Sequence, residues 1–257
     1  MKSLYFIIKS IRYFFASKNA HGIHSPFVFE LYNEVICKKN NYYVFDRIEQ
    51  QRQKLLVSTK SIDVTDLGTG KSGKKNIAGI AGRSLKSKKY GQLLFRLVNR
   101  FKPETIVELG TSLGITAAYL ASANPKAKIV TIEGCPNISN EAKSVFENLE
   151  LKNIETVTGN FDDALPSVIR HPASVSMVFF DGNHKKAPTL KYFSQCLESA
   201  TPDSVFVFDD IHWSDEMEEA WQEIKSHPKV TVTIDLFFLG IVFFRKEQVK
   251  ENFILRF

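Results

Sequence analysis

From residue 84 to the C-terminal end, apolar residues fall into short runs separated by stretches of helical spacing. Before residue 84 the pattern is purely helical or weak. In MKSLYFIIKSIRYFFASKNA, residues Leu4, Ile7, Ile8, Ile11, Phe14 and Phe15 recur at helical spacing, punctuated by Lys2, Lys9 and Arg12. The spacing predicts an N-terminal helix whose apolar stripe docks on its own domain or on a second subunit. Ser25 suits an N-cap and Pro26 the first helical position, so FVFELYNEVI predicts a second helix over about Pro26 to Cys37. Residues 39–83 are mixed, and glycine-rich in their second half. They predict a loop-rich connection. Leu85, Leu93, Leu94, Leu97, Val98 and Phe101 then mark a helix that ends before Pro103.

Beyond Pro103 the runs TIVELG (105–110), KIVTIEG (128–134), IETVTGN (154–160), VSMVFFDG (175–182) and DSVFVFDD (203–210) read as strands. Helical stretches separate them at 114–123, 137–149, 162–170, 186–199 and 214–226. Buried strands alternating with helices predict an α/β fold with a parallel sheet and helices on both faces. The last runs, VTVTIDLFF (230–238) and GIVFFR (240–245), are joined by too short a link for a parallel crossover, so they should pair antiparallel. The expected architecture is Rossmann-like: five parallel strands and a C-terminal hairpin. Residues 1–83 would be a helical and loop extension, a cap or dimer surface, and residues 84–257 the main domain.

A length of 257 residues is enough for a self-sufficient core. Three cysteines, Cys37, Cys135 and Cys196, make neither a disulfide scaffold nor a zinc pattern, and the default setting is a reducing cytoplasm. No apolar run is long enough to span a bilayer. A peripheral membrane contact by residues 1–18 and a homodimer both stay open for the N-terminal helix. The net charge of +6 is below what a dedicated nucleic-acid binder carries, but it is unevenly placed. No acidic residue precedes Glu30, and none lies between Asp66 and Glu104, where Lys71, Lys74, Lys75, Arg83, Lys86, Lys88, Lys89, Arg96, Arg100 and Lys102 gather.

Two glycine motifs differ in context. Gly68 to Gly73 fits G-x-G-x-x-G and contains Gly70-Lys71-Ser72, yet it follows a weak apolar stretch, and Thr65 stands where a phosphate-binding loop needs its first glycine. It reads as a basic loop. Gly110-Thr111-Ser112-Leu113-Gly114 instead ends the first strong strand and opens a helix, the place where open α/β sheets bind ligands. Ser112 breaks the dinucleotide pattern. Glu108, at the end of the strand, would repel a pyrophosphate and suits a ligand with a positive end. Glu133 closes the second strand, where a carboxylate can hold a ribose. S-adenosylmethionine has a ribose and an ammonium and no phosphate.

Strand four ends in Asp181-Gly182-Asn183-His184-Lys185 and strand five in Asp209-Asp210-Ile211-His212-Trp213. Three carboxylates at neighbouring strand ends repel one another unless a cation lies between them, and oxygen ligation favours a hard ion such as Mg²⁺. A metal-free alternative stays open, with Asp209 and Asp210 simply preceding the next helix. His212 and Trp213 are candidates for the acceptor pocket.

These motifs resemble the class I S-adenosylmethionine-dependent methyltransferases over about residues 84–257. The resemblance implies that Glu108, Gly110, Thr111, Ser112, Gly114 and Thr116 meet the methionine end of the cofactor. It also implies that Glu133 and Gly134 hold the ribose, and that Asn160, Phe161 and Asp162 line the adenine with Asp181 close by. The strand ends look like the branch of catechol and caffeoyl-CoA O-methyltransferases, in which a divalent metal orients vicinal hydroxyls. That implies Asp181, Asp209 and Asp210 as metal ligands. It implies a base near Asp181, for which His184 or Lys185 is available in place of the family's lysine. His21 to Phe27 also resembles an H-G-x-H-S-P-F segment of bacterial methyltransferase-like proteins. The expected activity is O-methylation of a small hydroxylated acceptor. Two alternatives are an RNA or protein methyltransferase using the basic 71–102 stretch, and a non-catalytic membrane- or partner-binding protein.

Overall fold

The computed structural model describes residues 2–65, 72–169 and 175–257. Along the chain run α1 (Lys2–Ala16), a 3-10 turn (Ala20–Gly22) and α2 (Pro26–Leu31), which continues as a π-helical turn (Tyr32–Ile36). Next come α3 (Tyr43–Leu56), β1 (Ser61–Val64), β2 (Gly73–Asn76), α4 (Ile77–Ser84) and α5 (Lys88–Phe101). An alternating series follows: β3 (Thr105–Leu109), α6 (Ile115–Ala123), β4 (Lys128–Glu133), α7 (Pro136–Asn148), β5 (Ile154–Thr158), α8 (Phe161–Ile169), β6 (Met177–Phe180), α9 (Lys186–Leu197), β7 (Val205–Asp209) and α10 (Asp215–Ser226). The chain closes with β8 (Val232–Asp235), β9 (Leu239–Phe243) and β10 (Glu251–Ile254).

Two compact units form, Lys39–Ala173 and Met1–Lys38 with Ser174–Phe257, so the expected 1–83 extension contributes to both. In the first unit β3, β4 and β5 pair in parallel, Val107 opposite Val130 and Ile132 opposite Val157. The buried Val and Ile side chains of β3 and β4 suit a sheet covered by helices. Residues 39–83 differ from the loop-rich expectation. They contain α3, the antiparallel pair β1–β2 and α4. Phe45 and Ile48 of α3 are fully buried, in a core with Ile77, Phe95 and Tyr119. Polar residues interrupt the apolar spacing of α3: Gln51 and Arg52 occupy interior positions. Glu49 makes Arg52 tolerable there, accepting from its Nε at 3.0 Å and from the Tyr119 hydroxyl at 2.7 Å. Helix α5 stops where expected, with Lys102 left-handed (φ 47°) just before Pro103. The Gly68–Gly73 motif lies mostly outside the described residues, as does Lys71 of the basic stretch.

In the second unit β6 and β7 pair in parallel, so all five runs expected to be parallel strands pair in parallel, three in one unit and two in the other. The terminal hairpin is antiparallel as expected, Ile234 opposite Ile241, and β9 also pairs antiparallel with β7. Strand β10 was not expected. It adds in parallel to β8 and buries only Phe253, too little apolar pattern to mark a strand in the sequence. The second helix is capped as predicted, the Ser25 hydroxyl accepting from the Val28 N–H at 3.4 Å.

Helix α1 forms where predicted, but a different face docks. Phe6 packs on Phe237 and Phe238, Tyr13 packs on Phe237, and Lys9 pairs with Glu218. The stripe Ile7, Ile8, Ile11, Phe14 and Phe15, expected to dock on the chain's own domain or on a second subunit, is exposed.

Candidate active site

In the Lys39–Ala173 unit the turn after β3 is a tight left-handed bend. Gly110, Ser112 and Gly114 all have positive φ (104°, 47° and 81°). The N–H groups of Gly110 and Thr111 both donate to the Ile132 carbonyl, at 3.0 and 3.2 Å, and fix the turn against the end of β4. Gly114 is needed twice. It sits at a left-handed φ, and a Cβ there would come within 2.7 Å of the Phe146 ring and 3.1 Å of Ala142 on α7. Its place is therefore a helix–helix contact.

Glu108 is fully buried at the end of β3. Its Oε2 accepts from the Thr131 hydroxyl at 2.6 Å, and Thr131 lies 2.5 Å from the Thr111 hydroxyl, which makes a short hydroxyl relay. The other oxygen, Oε1, has no hydrogen-bond partner among the described residues. Burial pushes the Glu108 carboxyl up to about 8. The Thr131 hydrogen bond opposes that shift, and the nearby Glu133 charge adds to it. A buried oxygen without a partner costs energy until a donor or cation meets it. The ammonium of S-adenosylmethionine meets that need, so these residues fit the cofactor.

Glu133 is half-buried and held by the backbone. Its Oε2 accepts from the Ser112 N–H at 2.9 Å and its Oε1 from the Cys135 N–H at 3.0 Å. Gly134 follows it, and the buried Thr116 lies in the first turn of α6. Ser84, at the end of α4, lies 2.7 Å from the Ser112 hydroxyl. Sequence reasoning missed Ser84 and Thr131. For Thr131 a signal existed, a hydroxyl inside the otherwise apolar run KIVTIE. Asn160 starts α8, its Oδ1 accepting from the Asp162 N–H at 3.2 Å, and both side chains are exposed beside the half-buried Phe161.

In the other unit Asp181 follows the fully buried β6 and Asp209 ends β7, only 1% exposed. Asp181, His184 and Asp209 offer ligand atoms that all lie within 4.8 Å of one another. The His184 Nε2 is 3.7 Å from Asp181 Oδ1. Asn183, at φ 57°, makes the sharp bend that turns His184 back toward the strand end. Asp210 is also left-handed (φ 54°), and its carbonyl accepts from the Trp213 N–H at 2.9 Å. It is not part of the grouping. Lys185 is exposed at the N-cap of α9.

His212 is clamped. Its Nδ1 lies 2.8 Å from Glu218 and its Nε2 2.8 Å from Asp235, and the ring stacks on Phe237. Burial disfavours its charge, but the two carboxylates outweigh burial and raise its pKa. Both ring nitrogens are committed to the protein. Trp213 is 55% exposed. Arg96 is buried, so it does not contribute to the surface charge of the basic 71–102 stretch.

Residues 107–211 match a family described as a methyltransferase domain. A catechol O-methyltransferase of Niastella koreensis is 26% identical over 182 residues, 70% of this chain and 75% of that one. Among solved structures, the O-methyltransferase TomG of Streptomyces achromogenes, in complex with S-adenosylmethionine, superposes with a TM-score of 0.58 at 18% identity. It covers 85% of this chain and 96% of its own. An O-methyltransferase of Bacillus cereus, in complex with S-adenosylhomocysteine, gives 0.58 at 18% identity, over 83% and 96%. These two likenesses show the fold, the Rossmann-like α/β fold of class I methyltransferases. The fold, the matched domain and the fit of Glu108 define an S-adenosylmethionine-dependent methyltransferase. The curated relative that it resembles is an O-methyltransferase. Neither the RNA nor the non-catalytic alternative is favoured. No helix among the described residues is long and apolar enough to cross a membrane.

Proposed function

We propose that the protein methylates a hydroxyl of a small, catechol-like acceptor, with a divalent metal held at the ends of β6 and β7. The gathering of Asp181, His184 and Asp209 within 4.8 Å carries this reading. Ligands about 2.0–2.2 Å from one ion lie at most about 4.4 Å apart, so the group is within a small adjustment of closing on one. One imidazole nitrogen with two carboxylates is a donor set that suits Mn²⁺, Fe²⁺ or Zn²⁺ at least as well as the Mg²⁺ expected from carboxylates alone. Asp210 is the remaining candidate ligand, one residue from Asp209. Such a metal supplies Lewis acidity that lowers the pKa of an acceptor hydroxyl.

S-adenosylmethionine supplies an activated methyl on a sulfonium. The chain's own work is positioning and charge control. Glu108 Oε1 and the Gly110–Gly114 turn bind the methionine end, and the backbone-held Glu133 carboxylate takes the ribose hydroxyls. Gly134 leaves the chain after Glu133 slim, and Asn160, Phe161 and Asp162 border the adenine. Asp181 holds His184 in place. His184 and Lys185, beside Asp181, are the two groups placed to serve as the base for the acceptor proton. Trp213 offers an exposed aromatic face to the acceptor.

The test is transfer of the methyl group from S-adenosylmethionine to a panel of catechols and monophenols, read by product mass with Mn²⁺, Mg²⁺ or EDTA. Metal-dependent methylation confined to vicinal diols is the expected result. Equal turnover of monophenols in EDTA would sink the metal-assisted reading and leave the methyltransferase standing.

A further inference from the structure

We propose that the outer face of α1 is a docking surface for an anionic lipid bilayer. At 100° per residue, Ile7, Ile8, Ile11, Phe14 and Phe15 fall in one arc of about 120°. All five are exposed, Phe14 by 55% and Phe15 by 82%. The helix does not need this stripe to hold its place. Phe6 and Tyr13, on another side, pack on Phe237 and Phe238, and the Tyr13 hydroxyl donates to the Leu255 carbonyl. The Tyr5 hydroxyl donates to Asp215 and Lys9 pairs with Glu218. A helix fixed by one face while five large apolar side chains point outward on another is arranged for a second apolar medium.

Charge selects the medium. No acidic residue occurs before Glu30, and Asp215 and Glu218 are engaged on the docked side. The cations beside the stripe are Arg12, Lys18 and Arg256, all exposed. The Arg256 guanidinium lies over the Phe14 ring at 4.7 Å, and its NH2 donates to the carbonyls of Phe14 and Ser17 at 3.4 and 3.5 Å. That ties a positive group to the end of the apolar stripe. Ile254, partly exposed, continues the face on β10, next to Lys18. A second copy meeting this face across a two-fold axis would set like charges against like. Anionic headgroups satisfy Arg12, Lys18 and Arg256 while the stripe enters the boundary of the acyl layer.

The experiment is sedimentation of the full chain with vesicles of phosphatidylcholine alone and of phosphatidylcholine with roughly one-third phosphatidylglycerol. The expected binding is about tenfold stronger to the anionic vesicles, lost at high salt. Ile11→Asp with Phe15→Asp should remove it while the circular dichroism spectrum and melting midpoint match the wild type. Arg12→Glu with Lys18→Glu, which leaves the apolar residues intact, should lower it about tenfold. Folded wild type that ignores both vesicles, or binds both equally, overturns the proposal. So does a concentration-dependent dimer, seen by light scattering and abolished by the Ile11→Asp, Phe15→Asp pair, because a second copy would then cover the face.

Discussion

At the end of β3 the carboxylates are already satisfied almost everywhere. Glu133 accepts two backbone N–H groups, Glu108 one hydroxyl, and only Glu108 Oε1 is left over. At the ends of β6 and β7, Asp181, His184 and Asp209 bring ligand atoms within 4.8 Å of one another, with His184 Nε2 3.7 Å from Asp181 Oδ1. The first grouping is prebuilt by the chain and lacks one cationic contact. The second is, on the function proposed above, a set of ligand atoms that a cation would close. The difference separates two kinds of binding: one that selects a shaped organic ligand, and one that selects a charge and a coordination number.

The largest effect expected on that comparison comes from Asp209→Ala. Methyl transfer to a catechol should fall by about 10³-fold, and the heat of Mn²⁺ titration should vanish while S-adenosylhomocysteine binding is kept. If cofactor binding disappears as well, the two groupings do not act separately.

Glu108→Gln tests the leftover oxygen. The folded protein holds a proton on Glu108 up to about pH 8, whereas the unfolded chain loses it near the ordinary carboxyl value. Glu108 therefore stabilises the fold below about pH 4.5, and that contribution is lost as pH rises toward 8, on the order of a few kcal/mol in all. Urea unfolding at pH 5 and pH 8 should show the wild type losing stability where the Gln variant does not; parallel curves would refute the assignment. Cofactor binding at pH 7 should also release a proton, visible as a buffer-dependent heat.

Glu133→Ala should weaken S-adenosylhomocysteine about 10- to 100-fold, with the metal titration unchanged. The smallest effect is expected for Gly114→Ala, a loss of about 1–2 kcal/mol from the left-handed φ and the Phe146 contact. Chemical denaturation reads it directly, and a cofactor affinity loss exceeding the stability loss would mean that Gly114 touches the ligand.

The alternating half of the fold was legible because buried parallel strands are written in unbroken Val, Ile and Phe runs, and the turn because glycines stood at a strand end. Helix α3 was not, since Gln51 and Arg52 fill core positions that the period assigns to apolar residues, and Glu49 with Tyr119 explains them only in three dimensions. The pair β1–β2 carries SIDV and GKKN, too polar to register. Helix α1 was found, but its docking face was not: it has two apolar sides, and only Phe237 and Phe238, more than two hundred positions later, decide between them. The role of His212 was hidden for the same reason, because Asp235 lies in a strand that reads as apolar. His184 was recognised as chemically active, but only the bend at Asn183 brings it among the carboxylates.

The long separation between α1 and its partners also has a meaning in time. Tyr13 bonds to Leu255 across 242 positions, the Lys18 N–H donates to Ile254, and the Arg256 N–H donates to Lys18. Synthesis at about 5–20 residues per second leaves an interval of roughly 10–50 s between the two. For that interval the nascent protein carries an amphipathic segment with apolar residues on two sides and nothing of its own to cover either. Helix α1 thus leaves the ribosome long before its partners and is late to find its place, and whatever surface or chaperone meets it in the meantime has both faces to choose from.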